Sequence, residues 1–166
     1  MFLSLFILLI KLAIGLVADQ PHFKGGQKSL DSFISNNLIY PEYSKANCLQ
    51  GTVKISFQLN NEGKVSRSKV SEGYGTDLDD EALRLVRLSS GKWIIPAGYD
   101  TTTSVVLPVN FALRNYNCEK RNKDELKAAI EAYTARQDLT RAVYNFYEKK
   151  ARGEVNAGDE AGILAL

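Results

Sequence analysis

Histidine is almost absent from this chain: His22 is the only one among 166 residues. A structural zinc site needs four ligands, so none of the Cys/His kind can be built, and His22 reads as a surface or packing residue. No Ser–His–Asp arrangement has a motif to anchor it. Cysteine is nearly as scarce. Cys48 and Cys118 are the two, and without a Cys-x-x-Cys pair thioredoxin-like redox chemistry has no support. An excess of one charge is missing too. The 21 basic side chains face 19 acidic ones, a formal net charge of +2, where nucleic-acid binders usually carry a basic patch or stripe.

Glycine is present but not in a phosphate-binding pattern. Gly25–Gly26 and Gly73–Gly75 lack the strand, glycine-rich turn and helix that such a loop requires. Asp77, Asp79, Asp80 and Glu81 cluster without the spacing of a calcium loop, and helix capping accounts for them. Trp93 and Phe57 read as core residues. The chain therefore offers no catalytic residue, metal site or cofactor loop, and no nucleic-acid or small-molecule partner is expected. A module that binds another protein is favoured over an enzyme.

What is there begins with an apolar run over residues 1–18, MFLSLFILLIKLAIGLVA, broken by Ser4 and Lys11. It is a little short of the roughly 20 residues a bilayer span needs, so a signal peptide is the first reading. A retained anchor and the start of a longer membrane protein are the alternatives. All three place the rest of the chain outside the cytoplasm. There Cys48 and Cys118 are candidates for a disulfide; two unrelated buried thiols are the other reading.

Residues 19–28 read as an irregular lead-in. Ser29 is placed to cap a helix, with Leu30, Phe33, Ile34 and Leu38 near helical period, and Pro41 holds Tyr40 extended so that the helix stops before it. Residues 51–59, GTVKISFQL, alternate cleanly, with Val53, Ile55, Phe57 and Leu59 on one face. Asn60 to Gly63 reverse the chain into a polar returning strand over 64–71. Val65 and Val70 differ in parity there, which predicts a bulge or an end to pairing. Asp77 is placed to cap a second helix whose buried face is Leu78, Ala82, Leu85 and Val86, with Arg84 and Arg87 outward. Trp93 to Ile95 form a short extended stretch. The last strand covers 103–113, with Val105, Leu107, Val109, Phe111 and Leu113 alternating.

This order predicts an α+β fold: two helices packed on a three-stranded antiparallel or mixed sheet, the 51–59 strand in the middle. Both outer edges are then open, and an open edge can accept an extended peptide as an added strand. Lys64, Arg67 and Lys69 blunt the 64–71 edge. The last strand is lightly charged and is the better docking edge. Residues 114–152 form a helical extension with two stripes, Leu126, Ile130 and Tyr133, then Leu139, Val143, Phe146 and Tyr147. Gln137 and Asp138 either separate two helices or sit within one. The extension folds back on the domain or pairs with a partner. Residues 153–166 read as a flexible tail.

Residues 21–113 resemble the C-terminal domain of the TonB energy-transducer family, in particular its Bacteroidetes-type members. The pieces that carry the resemblance are P-x-F-x-G-G at Pro21–Gly26, the NLIYPEYSKANCLQGTVKISFQLNNEGKVSRSKV segment, LDDEALRLV at Leu78–Val86, Trp93 with Pro96, and LPVNFAL at Leu107–Leu113. The resemblance implies a periplasmic domain, 19–113, that contacts outer-membrane transporters by taking a peptide strand against its last strand. Carried over, the partner-binding residues are Tyr40, Pro41, Val105, Leu107, Val109, Asn110, Phe111 and Leu113, and Gly51 and Gly63 match the family's glycines. A transducer also carries a long Pro-rich spacer; here about ten residues, roughly 35 Å extended, separate the apolar run from Ser29. The partner is thus an outer-membrane transporter, another envelope protein or a second copy. A non-catalytic envelope scaffold is the alternative function.

Overall fold

The computed structural model describes residues 20–114, 116, 118 and 122–155; the expectations for residues 1–18 and for most of the tail lie outside them. The described chain runs β1 (His22–Phe23), α1 (Gly26–Asn37), α2 (Glu42–Ala46), β2 (Gly51–Leu59), β3 (Val65–Glu72), α3 (Asp77–Leu88), β4 (Trp93–Ile94), β5 (Ser104–Phe111) and α4 (Lys123–Ala151). The class is α+β. One antiparallel sheet has the order β3-β2-β5, and β1 pairs with β4 in a second, two-stranded sheet.

β2 is central for a reason its sequence states. Val53, Ile55, Phe57 and Leu59 are all fully buried, and a middle strand also has both backbone edges paired. β5 runs opposite to it: Gln50, Thr52 and Gln58 reach Leu113, Asn110 and Thr102 in turn. β3 is irregular. Val65 and Val70 face Leu59 and Ile55 despite their parity, because pairing jumps from Gln58 with Ser66 to Ser56 with Lys69. β3 carries one extra residue there, and Arg67 sits at φ 48°. A second register shift follows between Lys54 and Ile55, so the expected bulge is two bulges.

The chain divides into two compact units. The first holds residues to Ile39, Val53–Glu72 and Glu81–Val109. Trp93 lies at its centre, with Phe57 at 5.4 Å and Phe23 at 5.6 Å between ring centroids. Its Nε1 donates to Ser89 Oγ, which donates to the Val86 carbonyl, so no polar atom of the indole is buried unpaired. The lead-in is ordered after all: His22 and Phe23 pair with Ile94 and Trp93. α1 starts earlier than Ser29. Gly25, at φ 86°, occupies the cap position, and Ser29 Oγ donates to the Gly25 carbonyl from within the first turn.

Arg84 is also not simply outward. Glu81 is 7% exposed, and its carboxylate accepts two bonds from the Arg84 guanidinium, at 2.6 and 2.7 Å. It also accepts the Ile39 N–H at 2.8 Å. The same guanidinium donates to the Asn37 carbonyl at 2.6 Å, one of the acceptors that the end of α1 leaves without a helical partner. Glu81 is thereby a buried joint rather than part of a surface acidic cluster.

The second unit holds Tyr40–Thr52, Gly73–Asp80 and the residues from Asn110 on. α2 is a single turn that no periodicity announces. A helix so short has little stability of its own, and Asp77 supplies its cap: the carboxylate accepts from Tyr43 N–H, Ser44 N–H and Ser44 Oγ. Asp77 therefore caps α2, not the helix it begins; Thr76 Oγ1 accepts the Leu78 N–H at 3.4 Å. Asp79 accepts from the Tyr74 and Gly75 N–H groups. α4 runs unbroken through Gln137 and Asp138. Its first stripe turns back on this unit: Ala129 is buried, its carbonyl accepts Tyr43 Oη at 2.6 Å, and the Tyr43 and Tyr133 rings lie 4.8 Å apart. A disulfide joins Cys48 to Cys118, with Cα atoms 5.7 Å apart.

Candidate functional site

The candidate site is a stretch of backbone. β5 ends the strand order, so among the described residues its outer edge has no strand partner. The sequence over 104–113, SVVLPVNFAL, holds no charged side chain. Pleating sorts its residues. Leu107, Val109 and Phe111 are 8%, 0% and 1% exposed, so their side chains hold the strand to the core. Val105 and Leu113 are half-buried, while Ser104, Val106, Pro108, Asn110 and Ala112 are exposed. Proline has no N–H, so Pro108 stands in the ladder where no donor is needed.

The far end of the strand is tied down by side chains. The Leu113 N–H donates to Gln50 Oε1 at 2.8 Å, and Thr52 Oγ1 lies 3.4 Å from Asn110 Oδ1. In the same unit Tyr40 meets Phe111 edge to face at 5.8 Å and donates from Oη to the Leu49 carbonyl. Burial, and then the negative field of Asp77, push the Tyr40 phenol up to about 12. Pro41 is half-buried and caps α2 in extended geometry. Tyr40 thus braces the end of β5 at Phe111. Sequence reasoning missed α2, whose stabilising partner, Asp77, is 33 residues from Ser44.

Two of the matched glycines have structural work. Gly63 lies at φ 73°, and a Cβ there would stand 2.3 Å from the Trp93 carbonyl oxygen. At Gly51, φ 147°, a Cβ would meet the Tyr74 hydroxyl. Among the described residues no group of three or more His, Cys, Asp or Glu is placed to hold a metal, and no buried side-chain nitrogen or oxygen lacks a hydrogen-bond partner.

Residues 36–113 match the family model described as the Gram-negative bacterial TonB protein C-terminal. The chain is 36% identical over 77 residues to Protein TonB of Pasteurella multocida (strain Pm70), a match covering 46% of this chain and 29% of that protein. It thus aligns with under a third of that relative's length. Among solved structures, a Helicobacter pylori TonB C-terminal domain matches 54% of this chain and 95% of its own, at 23% identity and a TM-score of 0.43. A longer version of that domain matches 52% and 79%, at 24% identity and a TM-score of 0.41.

Proposed function

We propose that the protein, whose residues 36–113 match the TonB C-terminal family model, is a non-catalytic envelope module that takes an extended segment of an outer-membrane transporter as an added strand on β5. It works in the periplasm, either free after removal of residues 1–18 or held to the inner membrane by them. The observation that carries the reading is the β3-β2-β5 order, which leaves β5 an uncharged outer edge.

Alternation extends the argument. If the Pro108 position faces outward, so do the N–H groups of Val106 and Asn110, two residues either side. Those are the donors a guest strand would use, and Val106, 52% exposed, stands beside it. The backbone groups of Leu107, Val109 and Phe111 then face β2. Main-chain bonds supply affinity in this mode, and side chains alongside supply selection.

The test is Asn110→Pro, which removes an outward donor while sparing the bonds to β2. In-cell crosslinking from position 106 should capture a transporter in the parent chain and lose it in the variant. Undiminished capture by a folded variant overturns the edge assignment. Capture of another copy alone points to a scaffold.

A further inference from the structure

The outer edge of β5 has a gap in its middle. Leu113 donates its N–H to Gln50 Oε1 at 2.8 Å, and Gln50 directly precedes β2, so at Leu113 the N–H points to the β2 side. Backbone groups two residues apart in a strand point the same way. Those of Leu107, Val109 and Phe111 therefore turn to β2, and those of Ser104, Val106, Pro108 and Asn110 turn outward. Proline is tolerated in a sheet only on that side. The outward row thus offers a donor at Ser104, Val106 and Asn110, and none at Pro108.

Edges are commonly blunted by charge or by bulges. β3 has both, with two register shifts and exposed Arg67 and Lys69. β5 has no charged side chain over 104–113, and Val106, Pro108 and Asn110 are exposed. Its guard is Pro108.

The gap acts unequally on two kinds of guest. Any strand laid against β5 turns it from an edge into a middle strand, where the facing carbonyl meets a ring carbon of Pro108 instead of an N–H. A second copy brings its own Pro108. Pairing through β5 then carries the fault twice, in any register that uses most of the strand. Neither copy can bulge away from it without drawing Leu107, Val109 and Phe111, 8%, 0% and 1% exposed, from the core. An extended foreign segment meets the fault once, and is free to bulge or end there.

We propose that Pro108 is a specificity-determining residue of this edge: it keeps β5 from pairing with a second copy of the chain and so leaves it open to a segment of another protein. This rests on β5 being the docking edge and deepens that reading.

The test uses the full chain in cells, with a photocrosslinking side chain at position 110, which leaves the backbone donor in place. The parent should give a transporter adduct and little self-adduct. Pro108→Thr restores the missing donor on both copies. Each hydrogen bond is worth roughly fivefold, so the self-adduct should rise by roughly 25-fold at equal expression. Adding Val106→Pro moves the gap two residues along the same outward row and should return the self-adduct to the parent level. Pro108→Ala restores the same donor and replaces the threonine variant if that one does not fold. An unchanged self-adduct in a folded donor-restored variant overturns the proposal. So does a rise that Val106→Pro leaves standing, because the gap is then not its cause. If the self-adduct follows the expected pattern while no chain captures a transporter, the role of Pro108 stands and the transporter reading falls.

Discussion

The Asp77 carboxylate accepts the Ser44 hydroxyl and lies 3.1 Å from the Tyr43 amide nitrogen, so the first residue of α3 closes the first turn of α2. Ser44 is fully buried, which leaves water no way to replace the bond. Asp77→Ala should cost about 1–2 kcal/mol, read as a lower urea midpoint. Ser44→Ala should cost less, and the double variant should fall short of the sum because both remove the same contact.

The Cys48–Cys118 bridge closes a loop with a sequence separation of 70. By chain entropy that constraint on the unfolded state is worth about 4 kcal/mol. Cys48→Ser with Cys118→Ser should lower stability by an amount of that order in urea titrations. Adding reductant to the parent chain should give the same loss, and none in the double variant.

Tyr40 predicts a pH dependence. A free tyrosine ionises near 10, while burial and the Asp77 field raise Tyr40 to about 12. The folded state thus favours the neutral phenol. The stability this contributes is complete below a pH of about 10 and is lost as pH rises toward about 12. Tyr40→Phe should be less stable than the parent at neutral pH, for want of the bond to the Leu49 carbonyl. The gap between the two urea midpoints should narrow across that window. A gap constant with pH would contradict the burial assigned to Tyr40.

At Gly63 a side chain has no room. The residue sits at φ 73° with the Trp93 carbonyl oxygen 2.3 Å from where a Cβ would stand, and that oxygen belongs to backbone. Left-handed geometry alone costs an alanine about 1–2 kcal/mol. Gly63→Ala should therefore lose at least about 2 kcal/mol, whereas Gly98→Ala, with the same sign of φ and nothing within 4 Å, should lose less. Thermal unfolding of the two variants checks the difference.

Much of this was legible from pattern. The alternation of Val53, Ile55, Phe57 and Leu59 placed β2 at the centre, and Leu78, Ala82, Leu85 and Val86 gave the buried face of α3. Both signals are local and repeat over enough residues to stand out. What stayed hidden rests on distant partners. α2 depends on Asp77, β1 depends on Trp93 and Ile94, and Arg84 is tied to the Asn37 carbonyl. No window of sequence contains both halves of those relationships. The edge of β5 was readable as uncharged and alternating; the burial of Leu107, Val109 and Phe111 shows that their side chains belong to the core.

The two bulges of β3 set the sheet's valence. A guest strand needs bonding groups at a regular pitch. On β3 that pitch is broken at Arg67 and again between Val70 and Glu72, and Arg67 and Lys69 add exposed charge. β5 carries no charged side chain over 104–113. Two copies joined edge to edge through β5 would turn the broken β3 edges of this sheet outward, so the three-stranded sheet is poorly suited to growth beyond a pair.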